Sequence, residues 1–214
     1  CLDEKSAVVG MAFDEVTETQ EQLESEMSKI QLRMVSKLSK YILYSGRKEQ
    51  GKNLDLVLNY FERLSDEGVF KDLQLVLIGA GDINFRDSLP NRVIDLGFVS
   101  ESEKAAILSN AVCLVQPSVN ESFSIVIMEA WLRGTPVMVH GSCAVTKYHA
   151  LQSRGGLYFS NETDFALVLK RLLADVDLRR TLGANGKNYV REQYSSRAVG
   201  QRLYDFFQKV FVKT

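Results

Sequence analysis

The sequence predicts an α/β fold, a Rossmann-like doubly wound parallel sheet of about six strands preceded by a long N-terminal helix, and three observations carry that prediction. Short apolar runs rich in Val, Ile and Leu recur along the chain, the pattern of strands covered on both faces. Longer stretches with apolar residues three and four apart lie between them, as the crossover helices of parallel strands require. The first four apolar runs end in glycine or in Pro-Ser, where a chain leaves a strand and turns.

Residues 1–40 are set apart by charge. Eight acids (Asp3, Glu4, Asp14, Glu15, Glu18, Glu21, Glu24, Glu26) face the single base Lys5 before residue 29, and Lys29, Arg33, Lys37 and Lys40 follow. Acids first and bases last suit a helix dipole. Val16, Leu23, Met27, Ile30, Met34 and Leu38 recur at sevens, fours and threes, so one helix over 14–40 is expected. Its apolar stripe has two outlets, packing on the chain's own body or a coiled-coil self-association of about three heptads interrupted by Gln20 and Lys37.

The sheet domain is predicted over 41–195. Tyr41 to Ser45 reads as the first strand, ending at Gly46, and Leu54, Leu58, Phe61 and Leu64 share one face of the helix after it. Leu73 to Ile78 is the second strand, closed by Gly79-Ala80-Gly81. Arg92 to Leu96 is the third, leading through Gly97-Phe98-Val99 to a helix capped at Ser100 or Ser102 with Glu103 in its first turn. Ala111 to Gln116, Thr135 to His140 and Gly156 to Phe159 complete the six, the fifth with Pro136 where a strand start tolerates it. A helix around Phe165 to Leu173 follows, and residues 196–214 hold a last helix, Ala198 to Phe211, whose Leu203, Phe206, Phe207 and Val210 need a covering surface.

Composition narrows the function. A 214-residue chain with net charge −1 has no basic block dense enough to neutralise a nucleic-acid backbone. Cys1, Cys113 and Cys143 are too few and scattered for a disulfide framework or a zinc site. Cys113, within an apolar run, reads as core. No cluster of acids has metal-ligand spacing, so no metal is expected. No apolar stretch reaches the ~20 residues that span a bilayer, and no signal peptide opens the sequence. A reducing, cytoplasmic compartment is therefore expected, with peripheral contact at the inner face of a membrane compatible with it.

Ligands of doubly wound sheets bind at the carboxyl ends of the strands, and the chemistry of this sequence gathers there. Arg47 and Lys52 lie five apart across the turn at Gly46, Gly79 and Gly81 open the backbone after the second strand, and Gly97 does so after the third. After the fourth comes Pro117-Ser118-Val119-Asn120-Glu121-Ser122-Phe123-Ser124-Ile125-Val126-Ile127-Met128-Glu129, with two carboxylates astride a helix start whose free N–H groups suit an anion. Cations and backbone donors are what a nucleoside diphosphate needs, and the two carboxylates can grip hydroxyls at each end of the helix start. His140 ends a strand beside this edge, whereas His149 reads as a surface or packing residue and Trp131 as core.

Taken together, Gly46-Arg47 with Lys52-Asn53, Leu77-Ile78-Gly79-Ala80-Gly81, Leu96-Gly97-Phe98-Val99, and Pro117-Ser118 through Glu121, Phe123, Glu129, Ala130, Gly134, Thr135, Pro136 and Val137 resemble the C-terminal, nucleotide-sugar-binding domain of family-4 retaining glycosyltransferases of the GT-B architecture. The last run matches that family's Glu-x7-Glu signature with its flanks, and the resemblance extends from about Ile42 to Tyr194. It implies a donor-binding half that uses a UDP-, GDP- or ADP-sugar without further cofactor and transfers the sugar to a glycan or lipid-linked acceptor. Arg47 and Lys52 would hold the diphosphate and offset the charge growing on it, assisted by the backbone amides of Phe123, Ser124 and Ile125. Glu129 would accept from the ribose hydroxyls, Glu121 would orient the donor sugar, and backbone at Gly97, Phe98 and Val99 would support the base. Retention in the family is described as a front-face substitution, in which the leaving phosphate takes the acceptor's proton. Two departures accompany the match: Ser124 stands where glycine is usual, and Gly141-Ser142-Cys143 replaces a Gly-rich turn with Pro-Glu. The acceptor-binding N-terminal domain of such enzymes has no counterpart in residues 1–40, so the resemblance implies a fragment of a longer polypeptide or a half that borrows a partner. Paired carboxylates also suit a glycoside hydrolase, where the basic clamp has no role. A non-catalytic nucleotide-sugar-binding or scaffolding module assembled through residues 14–40 is the alternative from another class.

Overall fold

A computed structural model describes residues 11–13, 17–33, 38–83 and 88–211. Its order is α1 (Gln20–Arg33), β1 (Lys40–Ser45), a 3-10 turn (Gln50–Lys52), α2 (Leu54–Asp66), β2 (Leu73–Ile78), β3 (Val93–Asp95), α3 (Glu101–Asn110), β4 (Leu114–Gln116), α4 (Ile125–Leu132), β5 (Val137–His140), α5 (Ala144–Ser153), β6 (Gly156–Phe159), α6 (Glu162–Ala174), α7 (Val176–Tyr194) and α8 (Ser196–Phe211). The six strands form one parallel sheet in the order β3-β2-β1-β4-β5-β6. That is the doubly wound arrangement, and its crossover reverses between β1 and β4.

Alternation along the strands makes two cores. Leu43, Val76, Ile78, Leu114, Val137 and Val139 face α1, α3 and α4, while Ile42, Tyr44, Leu75, Leu77, Val115 and Met138 face α2 and α6. On the second face Leu54, Leu58, Phe61 and Leu64 of α2 are buried as the spacing predicts. At Ser100, α3 opens on a complete capping box, its hydroxyl accepting from the Glu103 amide and the Glu103 carboxylate accepting from the Ser100 amide at 2.8 Å. Cys113 is buried and its thiol is pushed up to about 12 by desolvation.

The N-terminal helix is shorter than the pattern predicts. It spans Gln20–Arg33, and Leu38 and Ser39 lead into β1 without helix. Val16, Met34 and Lys37 of the predicted stripe lie outside the described residues. Leu23, Met27 and Ile30 are buried in the core shared with α3, so this part of the stripe covers the chain's own body. The fourth and fifth strands begin later than predicted, at Leu114 and Val137, although the Val112 amide already donates to the Tyr41 carbonyl at 2.9 Å and the Pro136 carbonyl accepts from the Leu114 amide at 3.0 Å. The last helix starts at Ser196 and buries none of its side chains, with Leu203, Tyr204, Phe207 and Phe211 exposed.

Close packing of α4 on α7 fixes the helix that carries Glu129. Gly183 lies against the Gly134 carbonyl, and Gly186 lies on the buried Trp131 ring, whose Nε1 donates to the Gly155 carbonyl at 2.9 Å. Arg133, just past α4, makes paired hydrogen bonds to the Glu18 carboxylate at 2.7 and 2.9 Å. That guanidinium holds Glu18 below its ordinary value. Phe13 completes this side: its amide donates to the Tyr194 carbonyl at 2.8 Å, it bridges to Ser195, and its ring stacks on Phe123.

Candidate functional site

Hydrogen bonds between neighbouring loops build the carboxyl edge of the sheet. The Gly46 amide donates to Ile78 and the Lys48 amide to Ala80, joining the loop after β1 to the loop after β2. The Gly79 amide donates in turn to the Gly97 carbonyl at 2.8 Å. Gly79 has φ +125°, and a Cβ there would sit 2.1 Å from the Gly46 carbonyl oxygen. The close approach that requires glycine at 79 is thus made by the adjoining loop of the protein. Gly81 and Gly97 also have positive φ.

Beneath this lacing lies an ion pair that the sequence pattern does not reveal. Lys48 Nζ reaches both oxygens of Asp95 at 2.8 and 2.9 Å, with its side chain only 2% exposed. Asp95 also accepts from the Gly97 amide at 2.8 Å. The Gly97-Phe98-Val99 segment is therefore anchored through Asp95 to the loop after β1, and it leaves Phe98 83% exposed.

At the switch point between β1 and β4 two predicted residues meet. Lys52 Nζ contacts Glu121 Oε1 at 3.0 Å across 69 positions of sequence, in a site where the glutamate side chain is 11% exposed. Asn53, in the left-handed region, donates its side-chain amide to the Pro117 carbonyl at 3.0 Å and ties the start of α2 to the loop after β4. Tyr44 lies below, donating to the Arg47 carbonyl at 2.7 Å. Burial raises the Tyr44 phenol, and the charges of Glu121 and Glu49 raise it further against the opposing Arg47. Arg47 does not join Lys52 here; it pairs with Glu49 at 3.3 Å and is 70% exposed.

Ser124 precedes α4 with φ +69°, which accounts for the glycine usual at this position. Its buried hydroxyl faces the side-chain amide of Gln116 at 3.2 Å and makes no cap. The first amides of α4, around Ile125, accordingly have no side-chain acceptor from the N-cap. Phe123 turns its ring into an aromatic group with Phe13, His149 and Tyr194, so only its backbone is available to the edge. Glu129, one turn into α4, meets Lys104 of α3 at 2.9 Å, a contact that sequence spacing gave no means of finding.

His140 is buried at the end of β5, takes the Ser142 amide on Nδ1 at 3.2 Å and is held below its ordinary value by desolvation. His149 is buried farther along, with Nδ1 2.9 Å from the Tyr189 hydroxyl, and burial lowers it also. An unfolded chain protonates His149 near 6.5 while the folded one resists. Its contribution to stability is therefore present above that value and is lost as pH falls through the lower folded value. The melting temperature should drop between about pH 7.5 and about pH 5.5, and His149→Gln should shrink the drop. Equal slopes for the two proteins in a melting series would refute this.

Among the described residues, no group of three or more metal-binding side chains occurs, and no helix is long and apolar enough to cross a membrane.

Residues 33–189 match the profile of the family described as Glycosyl transferases group 1. The alpha-1,3/1,6-mannosyltransferase of Homo sapiens is 26% identical over 198 residues, covering 84% of this chain and 48% of that protein. The sucrose-phosphate synthase of Thermosynechococcus elongatus superposes with a TM-score of 0.70 at 22% identity, over 94% of this chain and 50% of that one. HepE of Anabaena, crystallised with UDP, gives 0.71 at 16% identity, over 91% and 55%. This chain thus spans about half the length of each of these three proteins, and the likeness to the solved structures is one of fold. With the profile running over most of its length, from ahead of β1 into α7, the chain belongs to the Glycosyl transferases group 1 family.

Proposed function

We propose that this chain is the donor-binding half of a retaining glycosyltransferase that moves a hexose-type sugar from a nucleoside diphosphate to a glycan or lipid-linked acceptor, the acceptor being held by a further domain. The observation that carries the reading is the meeting of Lys52 and Glu121 at the switch point, where doubly wound folds bind their ligands. HepE, of the same fold, was crystallised with UDP, which supports a nucleotide at this edge.

In this reading Lys52 turns from Glu121 to share the diphosphate, and Arg47 exchanges its exposed partner Glu49 for phosphate. An exposed pair of that kind contributes little and is easily given up. The amides at the start of α4 add donors to the same oxygens. Charge grows on the leaving phosphate as the sugar–phosphate bond breaks, and these groups meet it there. The acceptor hydroxyl attacks from the face the diphosphate leaves, its proton passes to the departing phosphate oxygen, and Glu121 orients the sugar. Glu129 accepts from the ribose, and the Gly97–Val99 backbone supports the base.

Calorimetry and thermal shift with UDP, GDP and ADP test this, since a ligand that binds only the folded state raises its stability. At least one diphosphate is expected to bind, and Glu129→Ala is expected to weaken it about ten- to a hundredfold through loss of charged hydrogen bonds. Binding of none of the three, or unchanged affinity in the variant, would contradict the assignment.

A further inference from the structure

Lys104 stands between two acids. Its Nζ lies 2.7 Å from Glu101 Oε2, one turn back on α3, and 2.9 Å from Glu129 Oε1 on α4. Burial pulls the ammonium down, but hydrogen bonds to Glu101 and Glu129 outweigh it and the group is raised, so it stays charged. Both helices it joins are fixed. The Ser100–Glu103 capping box holds the start of α3, and Thr135 Oγ1 donates to the Leu108 carbonyl at 2.6 Å, tying its end to the turn after α4. The Glu129 side chain would otherwise sample several rotamers at a partly exposed position.

The placement matters because α3 begins directly after the Gly97–Val99 segment, while Glu129 sits on α4. Lys104 is therefore the link between the segment proposed to carry the base and the acid proposed to meet the ribose. It engages Oε1 and leaves Oε2 to accept from a sugar hydroxyl.

We propose that Lys104 is a positioning residue: by fixing the Glu129 carboxylate it sets how strongly this site prefers a ribose to a 2′-deoxyribose in the nucleoside diphosphate. The proposal rests on the ribose role of Glu129 given above.

The test is calorimetry of this chain with UDP, GDP and ADP, each beside its 2′-deoxy form. The wild type is expected to prefer the ribose form of the diphosphate it binds by roughly tenfold, the worth of one good hydrogen bond to a charged group. Lys104→Met should reduce that preference to below about threefold while 2′-deoxy affinity changes by less than about twofold. Lys104→Arg, which restores a cation, should keep most of the preference. An intact preference in Lys104→Met, or equal losses for both sugars, overturns the positioning role. Lys104→Gln provides a second variant should the methionine protein not fold. If the wild type binds none of the diphosphates, or if Glu129→Ala retains the ribose preference, it is the reading of Glu129 that fails, and the proposal falls with it for a different reason.

Discussion

Replacing Asp95 with alanine is expected to destabilise the domain by about 3–5 kcal/mol, whereas Lys48→Met is expected to be nearly neutral or stabilising. The asymmetry comes from burial. The Lys48 side chain is 2% exposed, so deleting its partner strands an ammonium where water cannot reach it. Removing the lysine leaves Asp95, 26% exposed and still accepting from the Gly97 amide, with access to solvent. Methionine fills similar volume with no charge to desolvate. Chemical denaturation of the two variants and the double variant measures this directly. The double variant should recover most of the loss, because two groups in contact couple. Equal destabilisation by both single changes with no recovery in the double variant would show that the pair contributes net stability, contrary to the desolvation argument. Asp95→Ala should also loosen the Gly97–Val99 segment, so any nucleotide it binds should be held more weakly than by Lys48→Met.

A comparable loss is expected for Gly183→Ala. The added methyl would lie 1.8 Å from the Gly134 carbonyl oxygen and 2.6 Å from its carbon. Both belong to backbone, and Gly134 is itself fixed by the hydrogen bond its amide donates to the Trp131 carbonyl at 2.9 Å. No rotamer change relieves the clash, so α7 must move off α4, opening the contact at Gly186 and Trp131 as well. Overpacking typically costs about 1–3 kcal/mol, and a clash with fixed backbone belongs at the upper end of that range. The same substitution at Gly200 in α8, where nothing lies within 4 Å, should instead stabilise by about 0.5–1 kcal/mol through helix propensity. Denaturant midpoints that moved the same way for both glycines would refute the packing account.

The parts of this architecture that depend on local pattern were readable in the sequence. Leu73–Ile78 and Gly156–Phe159 have the bounds their apolar runs predict, and Ser100 with Glu103 forms the cap their spacing predicts. The meeting of Lys52 with Glu121 followed from placing strand-end loops at one edge. What stayed hidden depends on pairings between elements. Lys48 and Asp95 face each other because β2 sits between β1 and β3, and no periodicity within either segment records that order. Lys104 shows its partner Glu101 at helical spacing, but its second partner arrives from a helix 25 positions away. Gly79 reads as room for a ligand and is occupied by the Gly46 carbonyl. Helix α7 has no counterpart among the elements read from the sequence, and its Gly183 and Gly186 serve to let Gly134 and the Trp131 ring come close. The N-terminal helix errs the other way: charge gradient and apolar spacing continue past Arg33, and Leu38 is buried from the extended lead into β1.

The bridge from Phe13 to Ser195 has a bearing on how this unit can be handled. Two points 182 positions apart in the polymer lie side by side, held by the hydrogen bond from the Phe13 amide to the Tyr194 carbonyl, with the whole sheet between them in sequence. A loop closed so tightly at its neck can be spliced into a host protein at one surface site, or cut open elsewhere and rejoined there, without stretching what it encloses.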